Sequence, residues 1–157
     1  MGRRANGRVK AGIGHKQTFG GALEPRYQLV ADAHQWAIDK LVAGERFTAL
    51  LVSSHPSGKK MTRYDLPTAE DALAACEREL AFELGDAIEY AFVYDALLKS
   101  CDSTTPALVF RLEQRGGAGA AQFAQRYRLR KKLLSSALVF APLEEFQPLA
   151  AGSAWLI

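Results

Sequence analysis

The sequence is short of the residues on which most recognisable active-site chemistry depends. It has two cysteines, Cys76 and Cys101, and three histidines, His15, His34 and His55. Two cysteines cannot build a disulfide framework, and their separation matches no zinc spacing. His34 would need a second ligand one helical turn away to share a metal, and those positions hold Val30 and Ile38. No acid cluster makes up the shortfall, so neither a metal site nor a metallohydrolase is expected. No apolar run approaches the ~20 residues of a membrane span, and no membrane is expected among the partners. The basic start of the chain has no apolar stretch behind it, unlike a secretory signal. Asn6 stands where a myristoylation pattern wants Ser or Thr. Few thiols and no signal make the cytoplasm the expected location.

Phosphate-binding loops are missing too. A Gly-x-Gly-x-x-Gly pattern begun at Gly117 meets Gln122 at its third glycine, and a strand follows instead of a helix. A Walker loop around Gly58-Lys59 needs Gly at position 53 and Ser or Thr at 60, where Ser53 and Lys60 stand. No cofactor is therefore expected. The catalytic list is empty, with Cys101 lacking a nearby histidine and His55 lying in a turn beside Pro56.

What the chain does have is the make-up of one soluble domain. Its 157 residues are 48% hydrophobic and 24% charged. Charge is unevenly spread. Residues 1–16 carry five bases and no acid, and residues 111–132 carry seven bases against Glu113 alone. The stretch between them is acidic. Residues 1–25 also hold six of the thirteen glycines without periodicity, which predicts a flexible basic tail. The single domain is expected over 26–157.

From Tyr27 to Ala43, Val30, Ala33, Ala37, Ile38 and Leu41 recur at helical spacing, and Gly44 supplies a C′ position. Residues 46–53 are rich in β formers, and residues 60–64 return after a turn as a second strand. Thr68 is an N-cap candidate, with Glu70 and Asp71 in the first turn of the next helix. Ala69, Ala72, Leu73, Cys76, Leu80 and Leu84 form its stripe up to Gly85. Strands follow over 88–98, 107–113 and 121–130, and an apolar run of strand length over 133–141. The order is α-β-β-α-β-β-β-β. The fold class is α+β, with an antiparallel sheet of four to six strands and both amphipathic helices on one face. This order is similar to that of cystatin-like and nuclear-transport-factor-2-like folds, with one amino-terminal helix fewer. The resemblance implies a sheet curled into a cone.

Three constellations stand out. Arg126, Arg128 and Arg130 share one strand face, and Lys131 extends the stripe, as a phosphate-binding surface would. The simpler reading of the same stripe is a solvated outer face paired with Glu89, Asp95 or Glu113. Tyr90, Tyr94, Phe110 and Phe123 would line a ligand pocket if the sheet encloses one, or else form the core. Trp155 and Leu156 form an apolar tail that needs cover from its own domain or from another subunit. The leading reading is a non-catalytic protein-interaction module that binds another protein or itself as a homodimer. A ligand-pocket protein or enzyme is the second reading. A nucleic-acid or polyanion binder acting through the tail and the arginine stripe is the third.

Overall fold

The computed structural model describes residues 25–117 and 119–156. Among these residues the chain forms two helices and an antiparallel sheet in the expected order, with seven strands where four to six were expected, because a two-residue strand after the last expected one also joins the sheet. Helix α1 (Pro25–Val42) leads into the hairpin β1 (Ala49–His55) and β2 (Gly58–Tyr64). Helix α2 (Ala69–Ala81) leads into β3 (Glu89–Lys99), β4 (Thr104–Gln114), β5 (Ala121–Lys131), β6 (Leu138–Pro142) and the two-residue β7 (Gln147–Pro148). The sheet order is β2-β1-β3-β4-β5-β6, and β7 also pairs with β5. The glycine-rich tail of the sequence reading lies outside the described residues, apart from Pro25, which opens α1.

Local signals place the helix ends. Thr68 is extended and accepts the Asp71 N–H at 3.0 Å, closing the first turn of α2. Gly44 has φ +74° after α1, where a side chain would be strained. The Gly44 and Glu45 N–H groups donate back to Leu41 and Lys40.

The helices lie on opposite faces of the sheet, which corrects the expectation that both share one. Leu50 pairs with Val93 and Leu51 with Phe92, so alternation sends the two pairs to opposite sides. The first pair belongs to a core under α1, with Val30, Ala33, Ala37, Leu108 and Phe110. The second belongs to a core under α2, with Ala72, Cys76, Leu80 and Tyr90. The reason is legible in β1, where Ala49-Leu50-Leu51-Val52 is a continuous apolar run. Such a strand has no polar face and must be covered on both sides. The cone implied by the resemblance wants both helices on its concave side, and this arrangement does not provide it. The edge strand β2 carries Lys59, Lys60 and Arg63, a composition that discourages sheet-to-sheet pairing.

Candidate functional site

Three features on this scaffold carry polar chemistry: a buried polar row under α2, an aromatic box around His34, and the outer hairpin.

The polar row begins on β1. Ser53 and His55 are two residues apart and share the α2 face. His55 Nε2 lies 2.8 Å from Ser53 Oγ, and His55 Nδ1 lies 2.6 Å from Asp86 Oδ1. This is the connectivity of a Ser-His-Asp relay. The hydroxyl and the ring are buried, and Asp86 alone reaches solvent. A nucleophile has to meet its substrate, and Ser53 has no exposed surface on which to do so. The relay ties the end of β1 to the turn before β3, and contact with His55 holds the Asp86 carboxyl below its usual range. Sequence reading put His55 in a turn and missed this cluster. The signal was Ser-x-His at the end of a strand, which alternation turns to one face.

Across the sheet Ser53 faces Tyr90, and Tyr90 faces Glu113. The Tyr90 hydroxyl donates to Glu113 Oε1 at 2.9 Å and accepts from Arg111 Nε at 2.8 Å. Burial pushes that hydroxyl far above its ordinary pKa. The Glu113 carboxylate also accepts the backbone N–H groups of Trp155 and Leu156, both at 2.9 Å. Arg111 donates to the Ser153 carbonyl, and its guanidinium stands 3.6 Å from the centre of the Trp155 ring. A Cβ at Gly152 would collide with that guanidinium, so any larger residue there forces Arg111 to shift. Trp155 stacks on Tyr90, and Leu156 is buried in the α2 core. The interface expected of Trp155 and Leu156 is thus met by their own domain.

The aromatic pocket does not assemble. Tyr90 and Tyr94 point to the α2 face. Phe110 sits opposite Val93 and Phe123 opposite Phe110, so both point to the α1 face. Tyr90 and Phe110 are core residues with no exposed surface. A depression of about 270 Å³ does lie between Tyr27, Leu112, Phe123, Phe146 and Pro148. Phe123 is the one member of the expected set that lines it.

His34 projects from α1 into a box of rings, with Phe110, Phe140 and Phe146 edge-on at centroid distances of 5.8, 6.0 and 5.4 Å. Its Nε2 is 2.9 Å from Gln125 Oε1, while Gln125 Nε2 donates to the Glu144 carbonyl. The ring therefore donates to Gln125. Burial lowers the His34 pKa from 6.5, and the Gln125 bond offsets part of that. The unfolded chain then takes up a proton that the folded chain refuses. This contribution to stability is full above the unfolded value of about 6.5 and declines as pH falls below it. It levels off once pH is below the depressed folded value. Thermal melts from pH 8 to 5.5 should show the decline, and His34→Gln, which does not titrate, should remove it. Equal pH dependence in both proteins would contradict this role.

The outer hairpin has a specific origin. Ser100 N–H donates to the Ser103 carbonyl at 2.8 Å. Antiparallel alternation then turns the backbone nitrogen of residue 106 away from β3 and toward β5. Residue 106 is proline and has no hydrogen to give. The β4–β5 ladder stops at Ala107↔Arg126, and from Tyr127 onward β5 pairs with β6. Residues 127–142 thus form an arm beyond the ladder. At its root Tyr127 donates to Asp95 Oδ1 at 2.8 Å and stacks on Phe140 at 5.0 Å.

The arginine stripe divides at this root. Arg126 is held in a two-pronged bond to Glu144, at 2.8 and 2.6 Å, which removes it from the expected anion-binding set. Glu89 and Asp95 share the α1 face and cannot serve the stripe, while Glu113 is engaged under α2. Arg128, Arg130 and Lys131 are exposed and have no ion pair among the described residues. Lys132 joins them, and no acid occurs between residues 127 and 143. The tip holds Leu133 and Leu134, which are 89% and 98% exposed.

Fold and site together define a two-sided antiparallel α+β domain with structural polar clusters inside and one basic, leucine-tipped arm outside. Comparison with protein-family models, curated proteins and solved structures finds no match for the chain. Among the described residues no helix is long and apolar enough to cross a membrane.

Proposed function

We propose that this protein is a non-catalytic interaction module whose contact element is the β5–β6 arm, and that its partner presents negative charge. One observation carries the reading. Arg128, Arg130, Lys131 and Lys132 stand exposed and unneutralised on an element that leaves the body of the domain. Clustered bases without internal partners raise the local concentration of anionic partners and speed their encounter. This joins the interaction and polyanion readings of the sequence, with Arg126 released from the set. The homodimer expectation drew on Trp155 and Leu156, which are covered within the domain, so the proposal needs no second copy. The free thiols Cys76 and Cys101 suit the reducing cytoplasm in which we place it.

Retention on immobilised heparin tests the proposal. The wild-type protein should elute at distinctly higher salt than R128A/R130A/K131A/K132A. These side chains are exposed, so the variant should keep the wild-type melting temperature within a few degrees. The basic residues of the tail are present in both proteins and cancel in the comparison. Identical elution would remove the arm as the contact element.

A further inference from the structure

We infer that the anionic partner of the arm is a lipid surface, with Leu133 and Leu134 entering below the headgroups and the four bases meeting the headgroup phosphates. This rests on the arm being the contact element.

The leucines carry the inference. They are the two most exposed large apolar residues among those described, and they sit side by side at the outermost point of the arm. Leu134 has φ +64°, a left-handed conformation that bulky residues rarely adopt. Glycine or asparagine would take it with less strain. The domain keeps a strained leucine there and buries nothing with it.

Charge decides between surfaces. A nucleic-acid backbone would answer the bases but leave both leucines in water. The arm also offers no free ring for base stacking. Tyr127 is buried with its hydroxyl on Asp95, and Phe140 packs against His34 and Tyr127. A bilayer rich in anionic lipid answers both features at once. Apolar side chains enter the acyl boundary, and the Lys and Arg residues one to five positions before Leu133 sit at the phosphate level.

The neighbouring hairpin agrees. Strands β3 and β5 are both antiparallel to β4, so the β3–β4 turn lies at the same end of the sheet as the arm's tip. The end of β3 contributes Leu97, 67% exposed, and Lys99, whose charge the exposed Asp102 of the turn offsets. Among the described residues no helix is long and apolar enough to cross a membrane, and a surface contact needs none. The arm would sit on one leaflet.

Vesicle flotation tests the inference, with phosphatidylcholine alone compared with phosphatidylcholine containing about one third phosphatidylserine. The wild-type protein should float with the anionic vesicles and not with the neutral ones. L133S/L134S should lose at least about tenfold in vesicle affinity while its heparin retention stays unchanged. R128A/R130A/K131A/K132A should lose about fivefold per base removed, and should lose heparin retention as well. Leu134→Trp should add to the emission of Trp36 and Trp155 an indole signal, read as the difference from wild type, that shifts to the blue on anionic vesicles and stays in place on heparin. Circular dichroism identical to wild type secures each comparison. Vesicle binding indifferent to the leucine changes overturns the inference. So does arm-dependent retention on heparin or duplex DNA without vesicle binding, which would leave the proposed function standing with a nucleic acid or other polyanion as partner. Heparin retention indifferent to the four bases fails the underlying reading itself.

Discussion

Glu113→Ala should cost about 3–5 kcal/mol of unfolding free energy, seen as a large fall in the urea midpoint. The carboxylate is 3% exposed and has three jobs. It accepts the Tyr90 hydroxyl, it accepts the backbone N–H groups of Trp155 and Leu156, and through Tyr90 it fixes the hydroxyl to which Arg111 donates. Alanine does none of these. Two backbone donors and one hydroxyl lose their acceptor, and the Tyr90 hydroxyl that Arg111 donates to loses the carboxylate that holds it. Glu113→Gln is the informative control. It keeps an acceptor oxygen but sets an amide donor against the N–H groups, so its loss should fall between wild type and alanine. Proteolysis should report the same event locally, with cleavage near residues 152–156 appearing first in the alanine variant. A loss below about 1 kcal/mol would show that water or a shifted tail satisfies these groups instead.

Phe110→Ala should cost a similar ~3–5 kcal/mol, for a different reason. Phe110 is wholly buried at the centre of the α1 core. Its ring stacks on Phe123 at 5.3 Å and meets Phe146 at 5.5 Å and His34 at 5.8 Å, both edge-on. Removing it takes away the transfer free energy of the ring and leaves a cavity between α1 and β5, walled by residues fixed in their own packing. Phe110→Leu should cost much less, because leucine refills most of the volume. The pair of variants separates burial from polarity. The alanine variant should also relax His34, whose pKa should return toward 6.5 as its box opens, detectable by the His34 ring resonances. A small loss on Phe110→Ala would mean that Phe123 and Phe146 collapse into the gap.

These two sites lie on opposite faces of one sheet. The α1 face is closed by rings around His34, and the α2 face by the polar row and the segment ending at Leu156. Polar chemistry that resembles a relay is spent on cohesion. Among the described residues, the bases and leucines of the β5–β6 arm stand clear of both clusters.

What the sequence by itself determined is what depends on neighbours along the chain. Alternation over 88–98 and 121–130 marks strands, because a pleated backbone repeats every two residues. Thr68 and Gly44 mark helix ends, because capping is settled within four residues. The same period placed Arg128 and Arg130 together on one exposed face of β5. The tertiary structure alone decided the rest. Which face each helix covers depends on the path from β2 to β3, although the apolar run of β1 already required cover on both sides. That Arg126 meets Glu144, and that Glu113 receives the Trp155 and Leu156 N–H groups, depends on bringing together positions 18 to 43 residues apart. So does the joining of Ser53 and His55 to Asp86, 31 residues after His55. Such contacts carry no local period. They exist because the fold brings each polar group to partners that are distant in sequence, and those partners are chosen by packing.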